Sequence, residues 1–258
     1  MTEAPARCAP GTPCWTSLMV HSLAATQDFY HALFGWDFTP GPQQLGAYVR
    51  GTLDGHAVAG IGELPAGRRL PVAWTTYMAS DDADDTAKQI RDCGGTVAVG
   101  PLDAEKAGRM VIAADPAGAT FGVWQARAHV GAERFGVPGT PAWHELVTYE
   151  TARVGRFYEV VFGHRARPAE PAGGADRTTL YVGDRAVAAI QGVGTAALRD
   201  RGPRWMTYFE VADADTAARR VTELGGRVIR PPHEEPVGRC AQVADPEGAV
   251  FTVVRKSG

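Results

Sequence analysis

GTPCW at residues 11–15 returns as GTPAW at residues 139–143, and the recurrence decides the fold. Phe29-Tyr30 comes back as Phe157-Tyr158, and Phe34-Gly35 as Phe162-Gly163. WTTYMASDDAD at 74–84 is answered by WMTYFEVADAD at 205–215, and Gly94-Gly95 by Gly225-Gly226. GRMVIAADPAGATFGV at 108–123 is answered by GRCAQVADPEGAVFTV at 238–253. The copies stand about 130 residues apart, with drifts that short loop insertions supply. The chain therefore reads as a tandem duplication, with residues 11–127 as one domain and 139–256 as the other. The turn-rich segment AHVGAERFGVP joins them.

Each copy reads as two βαβββ units. In the first unit WTSLMV predicts a strand, and Ser22 predicts the cap of a helix whose apolar face is Ala25, Phe29 and Leu33. YVRGTLDGHAVAGIG predicts two strands turning at Asp54-Gly55. The second unit opens on the strand WTTYMA. Asp82 then caps a helix with Ala83, Ala87 and Ile90 on its buried face, and Gly94 stops it. TVAVG, RMVIAA and ATFGVW follow as strands, the last two joined by a type I turn at Asp115-Pro116-Ala117-Gly118. In the second copy Val154, Phe157 and Val161 mark one helix face, and Ala214, Val221 and Leu224 the other. Its turn is Asp245-Pro246-Glu247-Gly248.

Composition narrows the function classes. The 258 residues are 45% hydrophobic and 21% charged, which suits a soluble globular chain. A net charge of −3 argues against nucleic acid or an anionic membrane as partner. No apolar run approaches the ~18 residues of a membrane span, and the amino terminus lacks the pattern of a signal peptide. The expected location is the cytoplasm. Cys8, Cys14, Cys93 and Cys240 form no C-x-x-C pair and read as free thiols. Ser/His/Asp, P-loop and G-x-G-x-x-G signatures are absent from the sequence.

Paired βαβββ units, a helix bearing Phe-Tyr, a helix ending in Gly-Gly and a G-R…D-P-x-G hairpin together resemble the vicinal oxygen chelate superfamily. That superfamily contains glyoxalase I, extradiol dioxygenases, fosfomycin-resistance enzymes and bleomycin-binding proteins. More narrowly, G-T-P-x-W opening each half resembles the tandem glyoxalase-like proteins of actinobacteria, some of which accompany antibiotic biosynthesis. The resemblance implies an α+β fold of four βαβββ units, forming two tandem domains with cup-shaped mixed sheets. It also implies a metal position on the concave face.

The resemblance places the family's three ligand positions at Trp15, Thr75 and Gly122 in the first half, and at Trp143, Met206 and Thr252 in the second. None carries an imidazole or carboxylate. Catalytic zinc or iron needs about three such ligands converging on one point, so the expectation is no metal and no cofactor. Strand alternation then sorts the side chains by face. In the first half the tryptophan face carries Trp15, Ser17, Met19, Thr75, Tyr77 and Trp124. In the second it carries Trp143, Glu145, Met206, Tyr208, Glu210 and Thr252. These are the candidate ligand-binding residues, and the alternative is that they fill the cup as core. His144 falls on the opposite face and reads as structural. His233-Glu234-Glu235, after Pro231-Pro232, reads as an exposed loop, while Arg109 and Arg239 read as rim salt bridges.

Three functions follow from this pattern. The leading one is a metal-free binder of a planar aromatic, polyketide-type metabolite or drug, in antibiotic biosynthesis or self-resistance. A tailoring enzyme of the same pathway would be a further partner, and the chain would be a monomer with an internal pseudo-dimer or a homodimer. The second is a metal-independent hydroxylase, isomerase or lyase, with Glu145 as base and Tyr208 polarising an oxygen. The third, a metal-dependent glyoxalase or dioxygenase, is disfavoured by the side chains at the ligand positions.

Overall fold

The structure is a computed structural model that describes residues 7–43, 46–65, 67, 71–169, 176–199 and 201–256. The first half runs β1 (Pro13–Val20), α1 (Leu23–Phe34), β2 (Asp37–Pro40), β3 (Tyr48–Leu53), β4 (His56–Glu63), β5 (Trp74–Ala79), α2 (Ala83–Asp92), β6 (Thr96–Ala104), β7 (Gly108–Ala114) and β8 (Thr120–Ala126). The second half repeats the order. It runs β9 (Pro141–Thr148), α3 (Thr151–Phe162), β10 (Arg165–Pro168), β11 (Arg177–Val182), β12 (Arg185–Gly192), β13 (Arg204–Glu210), α4 (Ala214–Glu223), β14 (Arg227–Glu235), β15 (Gly238–Ala244) and β16 (Val250–Lys256). A short 3-10 turn at Thr195–Leu198 precedes β13. The architecture is the expected α+β one, with two eight-stranded mixed sheets ordered β2-β3-β4-β1-β5-β8-β7-β6 and β10-β11-β12-β9-β13-β16-β15-β14.

Hydrogen-bonded sheets thus follow the duplication, but close packing does not. One compact unit combines the segment ending at Trp15 with Thr75–Gly131 and His144–Trp205. The other combines Thr16–Trp74, Ala132–Trp143 and the chain from Met206 onward. Each unit therefore joins a βαβββ module from one half to a module from the other.

In the first unit, Ala83, Ala87 and Ile90 of α2 pack with Val154 and Phe157 of α3 and with Val111, Phe121, Leu180 and Ile190 of the strands. A buried polar chain crosses this core. Trp205 Nε1 donates to the Tyr158 hydroxyl at 2.8 Å, and that hydroxyl donates to Asp115 Oδ2 at 3.2 Å. Asp115 Oδ1 accepts from the backbone N–H groups of Ala117 and Ala119, which closes the predicted turn. The second unit repeats the chain. Trp74 Nε1 donates to Tyr30, and Tyr30 donates to Asp245, both at 3.1 Å. Burial raises both phenols well above their ordinary range, so they remain neutral donors. The Phe-Tyr pair and the D-P-x-G turn are thus partners, each Tyr meeting the turn Asp of the other half.

Several local expectations need correction. Ser22 stands at the cap position, but its side chain makes no cap bond. The Glu247 carboxylate accepts from the N–H groups of His21 and Ser22 instead, both at 2.7 Å. Ala25 is exposed, and the buried residues of α1 are Thr26, Phe29, Tyr30 and Phe34. Asp82 does cap α2, accepting from Asp84 and Asp85. Strands β2 and β10 add a third strand to each opening module. Residues 233–235 belong to strand β14 rather than to a loop, because pairing resumes at His233–Cys240 after a register shift past the two prolines.

Candidate functional site

Two faces of each strand are distinguished by what they cover. Phe209, Phe251 and Val253 join the helix-facing core, whereas Met206, Tyr208, Cys240 and Val254 form a separate cluster on the opposite face, with Trp143 packed against it. The candidate residues of the tryptophan face all lie on strands whose alternate positions point away from the helices.

In the first unit, Trp15, Tyr77 and Trp124 are buried, and Thr75 is half-buried. They pack closely. A Cβ added at Gly122 would stand 2.1 Å from the Tyr77 ring, and one at Gly108 would stand 2.5 Å from Trp124. The His129 ring meets Trp15 edge-on at 4.4 Å and Trp124 at 5.7 Å, and Trp124 Nε1 donates to the His129 carbonyl at 2.8 Å. Here the side chains fill the space themselves.

Corresponding register positions in the two halves hold different chemistry. Ser17 lies beside Gly60, and Tyr48 beside Gly62. Their hydroxyls meet at 3.1 Å, with the Tyr48 ring across both glycines and Met19 Sδ close over Gly62. In the second half Glu145 lies beside Ala189 and Arg177 beside Gln191. Glu145 and Arg177 form an ion pair at 2.8 Å with side chains only 6% and 11% exposed. A neutral hydrogen bond has become a buried charge pair. Glu145 is thus engaged by an arginine, which is a poor state for the general base expected of it.

The second unit contains the other charged group of residues. Met206, Tyr208, Glu210 and Thr252 are buried. Glu210 Oε1 accepts from the Lys256 N–H at 3.0 Å. Two atoms here, Trp143 Nε1 and Glu210 Oε2, are buried and have no hydrogen-bond partner among the described residues. Tyr208 donates to Glu235 Oε2 at 3.3 Å, and His233 Nε2 lies 2.7 Å from Glu235 Oε1. His233 and Glu235 are functional candidates that the loop assignment hid. Their signal is the two-residue spacing, which puts both on one strand face once β14 is known to continue past Pro231-Pro232. Arg177 carried no signal in the sequence, since its partner lies on another strand.

Glu145 belongs to one packing unit and Tyr208 to the other. His144 sits on the helix side with Leu146, its Nδ1 3.0 Å from Thr76 Oγ1. Burial lowers its pKa to about 3. His164 is lowered too, by burial, against a hydrogen bond to the Gly11 carbonyl. Arg109 bridges Asp84 and Asp103, and Arg239 bridges Asp215 and Glu234, as rim salt bridges.

The donor set does not fit the superfamily's metal. Indole, thioether, threonine hydroxyl and a glycine occupy the six ligand positions, and the Tyr77 ring covers the glycine. Among the described residues no three His, Cys, Asp or Glu side chains converge as a metal cage would require.

Paired modules in this strand order, with the residues just placed, define a vicinal oxygen chelate protein. Solved structures bear the fold out. The Mn(II)-bound glyoxalase of Novosphingobium aromaticivorans superposes with a TM-score of 0.65 at 16% identity, over 95% of this chain and 82% of that one. The 2,3-dioxygenase LapB of Pseudomonas sp. KL28 gives 0.65 at 16% identity, over 98% and 94%. The family profile described as a glyoxalase-like domain matches residues 145–254. Anthracycline biosynthesis protein DnrV of Streptomyces peucetius is 40% identical over 96% of this chain and 94% of its own length. Putative glyoxylase CFP32 of Mycobacterium tuberculosis (strain CDC 1551 / Oshkosh) is 38% identical over 95% of each. The chain belongs to this tandem glyoxalase-like family of the vicinal oxygen chelate superfamily. No helix among the described residues is long and apolar enough to cross a membrane.

Proposed function

We propose that the protein binds a planar aromatic, polyketide-type molecule without a metal, in antibiotic biosynthesis or self-resistance. The observation that carries this reading is the replacement of metal-ligating side chains by Trp15, Trp143, Thr75, Met206, Thr252 and a Tyr77-covered Gly122. Trp and Met surfaces suit flat, irregular apolar ligands, and the buried donor of Trp143 offers a carbonyl oxygen one hydrogen bond. The second packing unit, with Trp143, Met206, Tyr208, Glu210 and Thr252, is the favoured site, because the tryptophan face of the first is closed by its own rings. The name of DnrV, an anthracycline biosynthesis protein, supports the ligand class. Expected partners are that ligand and a tailoring enzyme that receives it.

A metal-independent tailoring enzyme is the second reading. It is favoured by the hydrogen bond from Tyr208 to Glu235, and weakened by the arginine held against Glu145. One experiment separates the readings. Protein at catalytic and at stoichiometric amounts is incubated with a panel of anthracycline aglycones, and mass spectrometry follows the free and retained compound. Retention of unchanged compound only at stoichiometric protein is the expected result. A mass change that grows with time at catalytic protein overturns the binder in favour of the enzyme. Stoichiometric zinc, nickel, manganese or iron in protein purified without chelator overturns the metal-free reading.

A further inference from the structure

His233 and Glu235 sit two residues apart on β14, on the strand face shared with Cys240. His233 Nδ1 is 2.8 Å from the Pro231 carbonyl, and Nε2 is 2.7 Å from Glu235 Oε1. Both neighbours are acceptors. With Nδ1 donating to Pro231, the short Nε2–Oε1 contact must itself hold a proton, on either the imidazole or the carboxyl. The other carboxyl oxygen of Glu235 accepts from Tyr208 at 3.3 Å. The His233 and Glu235 side chains are each 20% exposed, whereas Tyr208 is 4% exposed within the Met206–Cys240–Val254 cluster. A hydrogen-bonded chain thus leads from water to a buried phenol. Arg230 reaches Glu235 Oε1 at 3.3 Å, and the Glu234–Arg239–Asp215 ion pairs lie alongside, with Glu234 on the opposite face of the strand.

The duplication supplies an internal control. Leu102 faces Met110 as His233 faces Cys240, and Ala104 faces Gly108 as Glu235 faces Gly238. Tyr77 beside Gly122 matches Tyr208 beside Thr252. The first half builds the same strands with two apolar residues where the second half has an acid and an imidazole. The fold has no need of the charged pair.

We infer that His233, Glu235 and Tyr208 form a proton relay through which the second half takes the proton of an acidic hydroxyl, a phenol or an enol, on its ligand. The inference rests on the ligand-binding reading above and names the group that is recognised. The ligand O–H bond breaks and its proton passes to Tyr208 Oη, while the Tyr208 proton passes to Glu235 Oε2. The ligand becomes an oxyanion, and the Glu235–His233 pair gains one proton, which it holds as a counter-charge or releases to water. Tyr208 is the group that touches the ligand. Glu235 and His233 act through it as positioning residues.

Alizarin, a dihydroxyanthraquinone whose colour changes when a phenol ionises, is the probe. The full-length protein is saturated with the dye, and visible absorbance is followed across the neutral pH range. The expected result is ionisation of bound dye about one pH unit below that of free dye, a tenfold change in the constant. Glu235→Gln and His233→Gln each abolish the shift while the dye stays bound, and Glu234→Gln leaves it in place. Thermal unfolding of each variant reports whether it is folded. Bound dye with no shift in the parent overturns the relay, as does a shift that survives both relay variants. Failure of the parent to bind any dye overturns the ligand-binding reading itself, and the relay with it.

Discussion

Tyr77 lies across Gly122 so closely that a Cβ on the glycine would stand 2.1 Å from the ring. The contact includes the ring carbon nearest the Tyr77 backbone, which has little room to move. Gly122 is also the position where the superfamily's carboxylate ligand would stand. A ring has taken the space of a ligand, and the consequence is measurable. Gly122→Ala is expected to destabilise the protein by about 1–3 kcal/mol through overpacking, with Tyr77→Ala in the same chain recovering part of the loss. Urea denaturation of the two variants checks this; an unchanged midpoint for Gly122→Ala would refute it.

The Trp205–Tyr158–Asp115 chain holds an element of one half against an element of the other. Tyr158→Phe strands a buried indole donor and a carboxyl oxygen. The expected cost is about 1–3 kcal/mol, and Tyr30→Phe should cost a similar amount at Asp245. Equilibrium unfolding of each single variant reads the loss.

Glu145 and Arg177 leave little to water, so removing one partner leaves a charge in the interior. Either Glu145→Met or Arg177→Met is expected to cost about 3–5 kcal/mol, and the double replacement much less. A double-mutant cycle in chemical denaturation measures the coupling. A loss in the double variant equal to the sum of the two single losses would show that the pair is not coupled.

His144 gives the stability an acid limb. Its pKa falls from 6.5 to about 3 on folding because burial disfavours the imidazolium. Between those values the unfolded chain binds the proton that the folded chain refuses. Stability from this residue is therefore complete above the unfolded value and falls with pH, by up to about 1.4 kcal/mol per unit. Asp115 and Asp245, raised by burial, act in the opposite sense at lower pH. The parent should lose more stability than His144→Gln between about pH 7 and about pH 5, as measured by urea unfolding at the two values.

Trp143 Nε1 is buried without a partner among the described residues. Trp143→Phe keeps most of the apolar surface and removes that donor. Its stability should match the parent's, while affinity for a quinone-bearing aglycone falls about three- to tenfold, the worth of one hydrogen bond. Fluorescence titration provides the comparison, and an unchanged Kd would remove the donor from the ligand site.

The sequence by itself determined the duplication, both Asp-Pro turns, the helix α2 with its Asp82 cap, and which strand face each side chain takes. These are local or periodic properties. Chain geometry repeats every two or 3.6 residues, and a tandem copy shows itself by comparison with its twin. The six ligand positions were located by the resemblance to the superfamily, and their side chains are then read directly from the sequence. Partners were not legible. Alternation says that Glu145 and Tyr208 share a face but not that Arg177 meets one and Glu235 the other, because pairing depends on register across neighbouring strands. At β14 the two prolines made the strand read as a loop, and the register shift between Arg230 and His233 that lets pairing resume beyond them had no signal in the sequence. The crossed Tyr158–Asp115 and Tyr30–Asp245 bonds were equally hidden. Only tertiary packing brings modules of opposite halves together, and it is the burial of those polar groups that makes each of them need the other.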